Sequence, residues 1–306
     1  MSNTVYLNGQ YKAVEDATIS VMDRGFLFGD GVYEVIPVFG GNLLALDKHL
    51  KRLLNSLDRI GLQNPCSRDE WLAIFAELLD TNSGHDRAIY LQVSRGAYVK
   101  RDLSVKTPNG EQHPPTVFAM VLQVTPPDLE LASAGISVIT VDDFRWNACD
   151  IKSTSLVANV MLKQQAAEAG MEDAILIKDG GVTEGTASNV FIIKDGVLIT
   201  PPTSHKLLPG ITRDLVIEIA KNNTILVEER DIKEAELYEA DEIWMTSSTR
   251  EIAPVICLNG NAVGRVDSKA NGNASSNASS KGVAGEMWKR MMDLYQQHKQ
   301  TLRQGG

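Results

Sequence analysis

Apolar and polar residues alternate through Ile136-Ser137-Val138-Ile139-Thr140-Val141, the two-residue period of a half-buried strand. Similar apolar-rich runs predict strands over 5–7, 32–38, 88–93, 116–122, 173–177, 190–193 and 242–245. The period changes at Leu46, Leu50, Leu53, Leu54 and Leu57, which line one face of a helix that Asp47 could cap. Further helices are expected over 68–79, 213–221 and 285–299. After Ser153-Thr154-Ser155, a cap-like cluster, Leu156, Val157, Val160, Met161 and Leu162 form another helical stripe. Lys152 therefore falls near a strand-to-helix junction, where side chains often point into a cleft. At the start of the chain, Asn8-Gly9 is a hairpin signal, and residues 1–40 read as an antiparallel meander with glycine turns at Gly25, Gly29 and Gly31.

The 306 residues suggest two domains. Thr125-Pro126-Pro127-Asp128 is the best linker candidate, giving an N-terminal α/β domain over 1–124, a linker over 125–133 and a C-terminal domain over 134–306. The polar run SKANGNASSNASSK, residues 268–281, cannot build a core and is expected to be a mobile loop. The 43% hydrophobic and 23% charged residues are ordinary for a water-soluble globular chain. A net charge of −9 argues against nucleic acid as a partner, because phosphate binding needs a basic surface. No membrane-spanning run or signal peptide is evident, and the three scattered cysteines suggest a reducing cytoplasm. Cys149, close to Lys152, reads as a small core residue before a reactive thiol. Five isolated histidines lack metal-ligand spacing, so no metal is expected.

Taken singly, the polar candidates have plain explanations. Lys152 and Glu184 could be solvated, Arg52 could lie on an exposed helix face, and Gly210 could simply open a helix. Their surroundings change that weighting. DIKS and VTEG sit in a run from Asp150 to Pro202, preceded by DRGFLFGDGVYEVI at Asp23–Ile36 and followed by LPGITRD at Leu208–Asp214 and EIWMTSSTREIAPV at Glu242–Val255. In this order, and across residues 23–255, these blocks resemble the fold-type IV pyridoxal-phosphate aminotransferases, most nearly the D-amino-acid aminotransferases of bacteria.

The resemblance implies a two-domain α/β and α+β fold, a homodimer, and pyridoxal 5'-phosphate as cofactor. It assigns Lys152 as the Schiff-base lysine and proton shuttle. A partly desolvated lysine loses basicity, which frees its amine for that work. Glu184 would face the ring nitrogen and favour its protonated, electron-withdrawing form. Arg52, the backbone of Ile211 and Thr212 and the hydroxyl of Ser248 would hold the phosphate, with Leu208 against the ring face. Tyr33 would face the substrate. The family's Arg-x-His carboxylate anchor has no full counterpart in Arg95-Gly96-Ala97-Tyr98-Val99-Lys100-Arg101-Asp102-Leu103. An ungapped count puts Lys100 at the arginine position, whereas one inserted residue puts Arg101 there. Arg101 is the preferred anchor, since a guanidinium grips a carboxylate at two points. The histidine is absent in either alignment.

The implied reaction is ping-pong transamination of a D-amino acid, such as D-alanine, with 2-oxoglutarate. A branched-chain L-amino-acid aminotransferase is the first alternative, disfavoured because its aromatic-glycine stretch before the lysine is missing. An (R)-amine transaminase and an aminodeoxychorismate lyase would share much of the site. A cofactor-free binding or regulatory protein would require Lys152 or Glu184 to be missing, and both are present.

Overall fold

The computed structural model describes residues 3–84, 86–105, 113–125, 128–264 and 282–304. The chain divides into two compact units. Unit 1 comprises Met1–Thr125, Ile151–Leu156 and Leu302–Gly306; unit 2 comprises Pro126–Asp150 and Val157–Thr301.

Unit 1 is an antiparallel sheet with two long helices. Its strands are β1 (Thr4–Leu7), β2 (Gln10–Ala13), β3 (Gly31–Phe39), β4 (Asn42–Leu43), β5 (Asp86–Ser94) and β6 (Thr116–Gln123), in the order β2-β1-β6-β5-β3-β4. Asn8 and Gly9 take φ of 48° and 87°, the two left-handed residues that a tight hairpin turn needs. β3 and β5 pair over their full lengths, from Gly31↔Ser94 to Phe39↔Asp86. The helices α2 (Leu46–Arg59) and α3 (Arg68–Thr81) bury Leu50, Leu53, Leu57, Trp71, Phe75 and Leu78. Ser67 and Glu70 form a reciprocal capping box on α3. Asp47 is not the cap of α2: Ala45 holds that position at φ 48° without a side-chain bond, and Asp47 lies in the first turn, paired with Arg68.

The expected meander is interrupted by α1 (Arg24–Phe28), a short helix. Asp23 caps it, accepting from the Gly25 N–H at 2.7 Å, and also accepts from the hydroxyls of Ser94 and Thr116. Gly29 closes it at φ 65°. The Thr154 and Ser155 hydroxyls both donate to the Gly29 carbonyl, at 2.9 and 3.0 Å. A Cβ on Gly29 would stand 2.5 Å from Ser155 Oγ, so this approach needs glycine. The Ser-Thr-Ser cluster expected as a helix cap is thus engaged elsewhere. It ties the Lys152 segment into unit 1, although the sequence reading placed that lysine in the C-terminal domain.

Unit 2 contains α4 (Leu129–Ser133), β7 (Ile136–Asp142), α5 (Val157–Glu168), β8 (Asp173–Lys178), β9 (Gly181–Gly185), β10 (Asn189–Lys194), β11 (Val197–Thr200) and α6 (Ile211–Asn222). These are followed by β12 (Val227–Glu229), α7 (Glu234–Leu237), β13 (Glu242–Ser247), β14 (Glu251–Leu258), β15 (Asn261–Ala262) and α8 (Glu286–Arg303). The strands form a mixed sheet ordered β12-β11-β10-β13-β14-β7-β8-β9, with β15 on β14. Val138, Ile175, Val190, Ile192, Ile243 and Met245 belong to its core.

The stretch expected as a linker over 125–133 holds α4, capped by the Asp128 carboxylate; Pro126 and Pro127 lie outside the described residues, as does the 268–281 run. Helix α5 also departs from expectation. Of its apolar stripe, Leu162 is buried against Ala174 and Leu176, while Leu156, Val157, Val160 and Met161 are exposed. Among the described residues, no helix is long and apolar enough to cross a membrane.

Candidate active site

In unit 1, Lys152 sits in the short irregular segment 151–156, not in a strand or helix. Its backbone is fixed on two sides: its carbonyl accepts from the Tyr33 N–H at 2.9 Å, and its N–H donates to Ser56 Oγ at 3.2 Å. Lys152 Nζ lies 4.2 Å from the centre of the Tyr33 ring. That ring stacks on Tyr90 at 5.7 Å, and burial pushes the Tyr90 hydroxyl up to about 12. Lys152 is half-buried, with the Tyr33 ring face covering one side of its amine.

Next to Tyr33 on β3, Glu34 points inward and is fully buried. Arg52 on α2 grips it from two nitrogens, Nε to Oε1 at 2.8 Å and Nη2 to Oε2 at 2.7 Å. His49, one turn earlier, places Nδ1 2.8 Å from Oε2. Burial alone would raise the Glu34 carboxyl, but the Arg52 charge and the bonds from Arg52 and His49 outweigh it and hold the group at about 2. Burial lowers His49, helped by the charges of Arg52 and Lys152 and opposed by Glu34. His49 Nε2 is buried without a protein partner, a polar atom of the kind that a bound polar ligand satisfies.

In unit 2, β9 carries Glu184 with its carboxylate buried. Arg145 Nη1 donates to Oε1 at 2.5 Å, and the Leu208 N–H donates to Oε2 at 2.9 Å. Arg145 is itself clamped by Asp143, through Nε at 2.9 Å and Nη2 at 2.8 Å, and Thr183 donates to Asp143 at 2.9 Å. Burial raises the Glu184 carboxyl, opposed by Arg145 and the Leu208 N–H. Each Glu184 oxygen keeps a second lone pair, so the group can still accept a proton-bearing ring nitrogen.

Leu208 is also pinned through its carbonyl, which accepts from Asn189 at 2.8 Å. Gly210 then opens α6 with no side-chain cap, and a Cβ there would stand 2.0 Å from Asn189 Oδ1. Ile211 and Thr212 are the first, buried residues of α6, where unpaired helix N–H groups favour an anion. Ser248 lies in the turn that joins β13 to β14, half-buried. These donors suit a phosphorylated aldehyde.

Cys149 is buried, and burial pushes its thiol up to about 11, which agrees with a core role. Lys100 and Arg101 are exposed in the loop after β5, and the Arg101 guanidinium lies 4.9 Å from the Phe28 ring centre. The sequence reading did not single out Glu34, His49, Asp143 or Arg145. A signal existed for Glu34: it shares the inward face of β3 with Val32 and Ile36, and a charge at such a position needs a partner.

The fold and these donor sets define a fold-type IV pyridoxal-phosphate enzyme. The amino-transferase class IV family matches residues 31–256. D-alanine aminotransferase of Bacillus licheniformis is 41% identical, over 85% of this chain and 90% of that protein. The Staphylococcus aureus (strain COL) D-alanine aminotransferase is 38% identical, with the same coverage. Among solved structures, branched-chain aminotransferase from Thermoproteus uzoniensis with norvaline gives a TM-score of 0.81 at 27% identity, covering 98% of this chain and 95% of that one. The T.th. branched-chain amino acid aminotransferase complexed with N-(5'-phosphopyridoxyl)-L-glutamate gives 0.82 at 25%, covering 98% and 94%. The chain belongs to the class IV aminotransferases. It is an enzyme of pyridoxal-phosphate-dependent transamination.

Proposed function

We propose that this aminotransferase acts on D-amino acids, with D-alanine as donor and 2-oxoglutarate as acceptor. The observation that carries the reading is the 41% identity to a D-alanine aminotransferase across 85% of the chain. The branched-chain enzymes resemble the chain in fold at lower identity, 27% and 25%, and branched-chain L-amino acids are the second reading.

Pyridoxal phosphate supplies an electron sink for the charge left when a substrate loses its α-proton. The protein's own groups do the rest. Lys152 would hold the cofactor's aldehyde as an imine; once the donor's amine has displaced it there, its freed Nζ would take up the substrate's α-proton and deliver it one carbon away. The Tyr33 face beside Nζ limits the water around that amine. Glu184 would hold the proton at the ring nitrogen, and Arg145 aims the carboxylate and opposes the rise that burial imposes on it. In unit 2 the start of α6, at Ile211 and Thr212, with Ser248, would bind phosphate oxygens; in unit 1 Arg52 would do so, Glu34 fixing the plane of its guanidinium. Leu208 would lie against the ring face. Tyr33 and Arg101 receive the substrate carboxylate.

The exposed Val157, Val160 and Met161 on α5 support a homodimer, in which such an apolar face would be covered. The three free cysteines of the chain suit the cytoplasm. The test compares D-alanine with L-leucine, each with 2-oxoglutarate, by loss of donor. Consumption of D-alanine alone is expected; preferential loss of L-leucine would transfer the enzyme to the branched-chain class.

A further inference from the structure

The loop from Ser247 to Glu251 has an unusual closing residue. Ser247 and Glu251 face each other across β13 and β14, with Ser248, Thr249 and Arg250 as the turn. Glu251 takes φ 59°, a left-handed backbone position that L side chains seldom adopt and glycine takes freely. A glutamate there is strained, and its side chain is buried as well. Two residues of α8 hold it. Lys299 Nζ forms an ion pair with Glu251 Oε1, both side chains being almost wholly buried, and Gln296 Nε2 donates to Oε2 at 2.6 Å. One turn back on the same helix face, the buried Tyr295 hydroxyl lies beside Thr212, the second residue of α6. The stripe 295, 296 and 299 therefore touches both the hydroxyl turn and the start of α6.

We infer that the Lys299–Glu251 pair, with Tyr295, is a positioning device that holds the Ser248 turn and the α6 N-terminus in register to grip the cofactor's phosphate. This rests on the proposal that those two elements bind the phosphate. Without Lys299, the Glu251 carboxylate would be buried with the Gln296 amide but no cation beside it, and it would leave the interior, turning its backbone out of the left-handed region. Ser248 and the turn would move with it.

The test uses the full chain stripped of cofactor and titrated with pyridoxal phosphate and with pyridoxal, which lacks the phosphate. Lys299→Met should raise the Kd for pyridoxal phosphate at least tenfold and leave that for pyridoxal within about twofold. Glu251→Gly in the Lys299→Met background removes the stranded charge and accepts the left-handed backbone without strain. This double variant should recover most of the lost affinity, even if its Tm stays low. A mere stabilising role would lower Tm and leave the ratio of the two Kd values unchanged. Either an unchanged ratio in Lys299→Met or no recovery in the double variant would overturn the inference. If wild type binds pyridoxal as tightly as pyridoxal phosphate, the phosphate assignment itself falls.

Discussion

Arg145→Met removes a buried cation held between two buried carboxylates. Three contacts of 2.5 to 2.9 Å join Arg145 to Glu184 and Asp143. At an effective dielectric near 20, each charge pair at about 2.8 Å has a gross attraction of about 6 kcal/mol. Most of that only offsets desolvation. Removal of one partner from a buried pair typically costs about 3–5 kcal/mol, because the remaining charge has lost its compensation. Here two carboxylates are stranded together, and a methionine of similar length leaves no large cavity. The unfolding free energy of the cofactor-free chain at pH 7 should therefore fall by about 3–5 kcal/mol. The pH dependence follows from the sign. Asp143, held low by Arg145, would rise, and Glu184, already raised by burial, would rise further, so the deficit is complete above the raised values and shrinks as pH falls through them, vanishing below the ordinary carboxylate range. Urea titrations of wild type and variant at pH 7 and pH 4 would show this. A deficit below about 1 kcal/mol, or one equal at both pH values, would refute the claim that Arg145 neutralises this pair.

Lys152→Ala should still bind pyridoxal phosphate but lose turnover, and borohydride should fix the cofactor to the wild-type chain at Lys152; fixation at another lysine would remove the assignment. Glu184→Gln should slow α-proton loss by about 100-fold or more in single turnover with cofactor bound, the usual scale for losing a preorganised charge contact. Glu34 gives a stability change on the acid side: its hold at about 2, against 4.5 ordinarily, contributes about 3 kcal/mol that is fully present above pH 4.5 and lost as pH falls through 2. Glu34→Gln should flatten that fall in denaturation curves between pH 5 and 2. Arg101→Ala should lower kcat/KM for D-alanine more than tenfold without changing cofactor affinity; if Lys100→Ala is the damaging change, the alignment without the inserted residue is right.

Much of the fold was legible because period and punctuation agree. The apolar-rich runs became β7, β8 and β10 within one residue at either end, and Asn8-Gly9 turned as its backbone preference requires. What failed did so where a local signal was used for something non-local. Ser153, Thr154 and Ser155 look like a cap, yet Thr154 and Ser155 bond a carbonyl 125 and 126 residues away. The stripe on α5 looks like a core face, yet most of it is solvent-exposed in the single chain. The candidate site residues were picked out through motif order, not through chemistry alone, since a lone lysine or glutamate carries little information. Their supports, Arg145 beneath Glu184 and Glu34 beneath Arg52, depend on which strands meet in space, and spacing along the chain does not encode that.

The central claim is transamination of a D-amino acid through Lys152. It is tested most directly by one half-reaction. The pyridoxal-phosphate form is mixed with D-alanine or L-alanine, with no oxo acid present, and pyruvate is counted per protomer. The account predicts close to one pyruvate from D-alanine, with conversion to the pyridoxamine form, and almost none from L-alanine. Equal yields, or a yield from L-alanine alone, would contradict it.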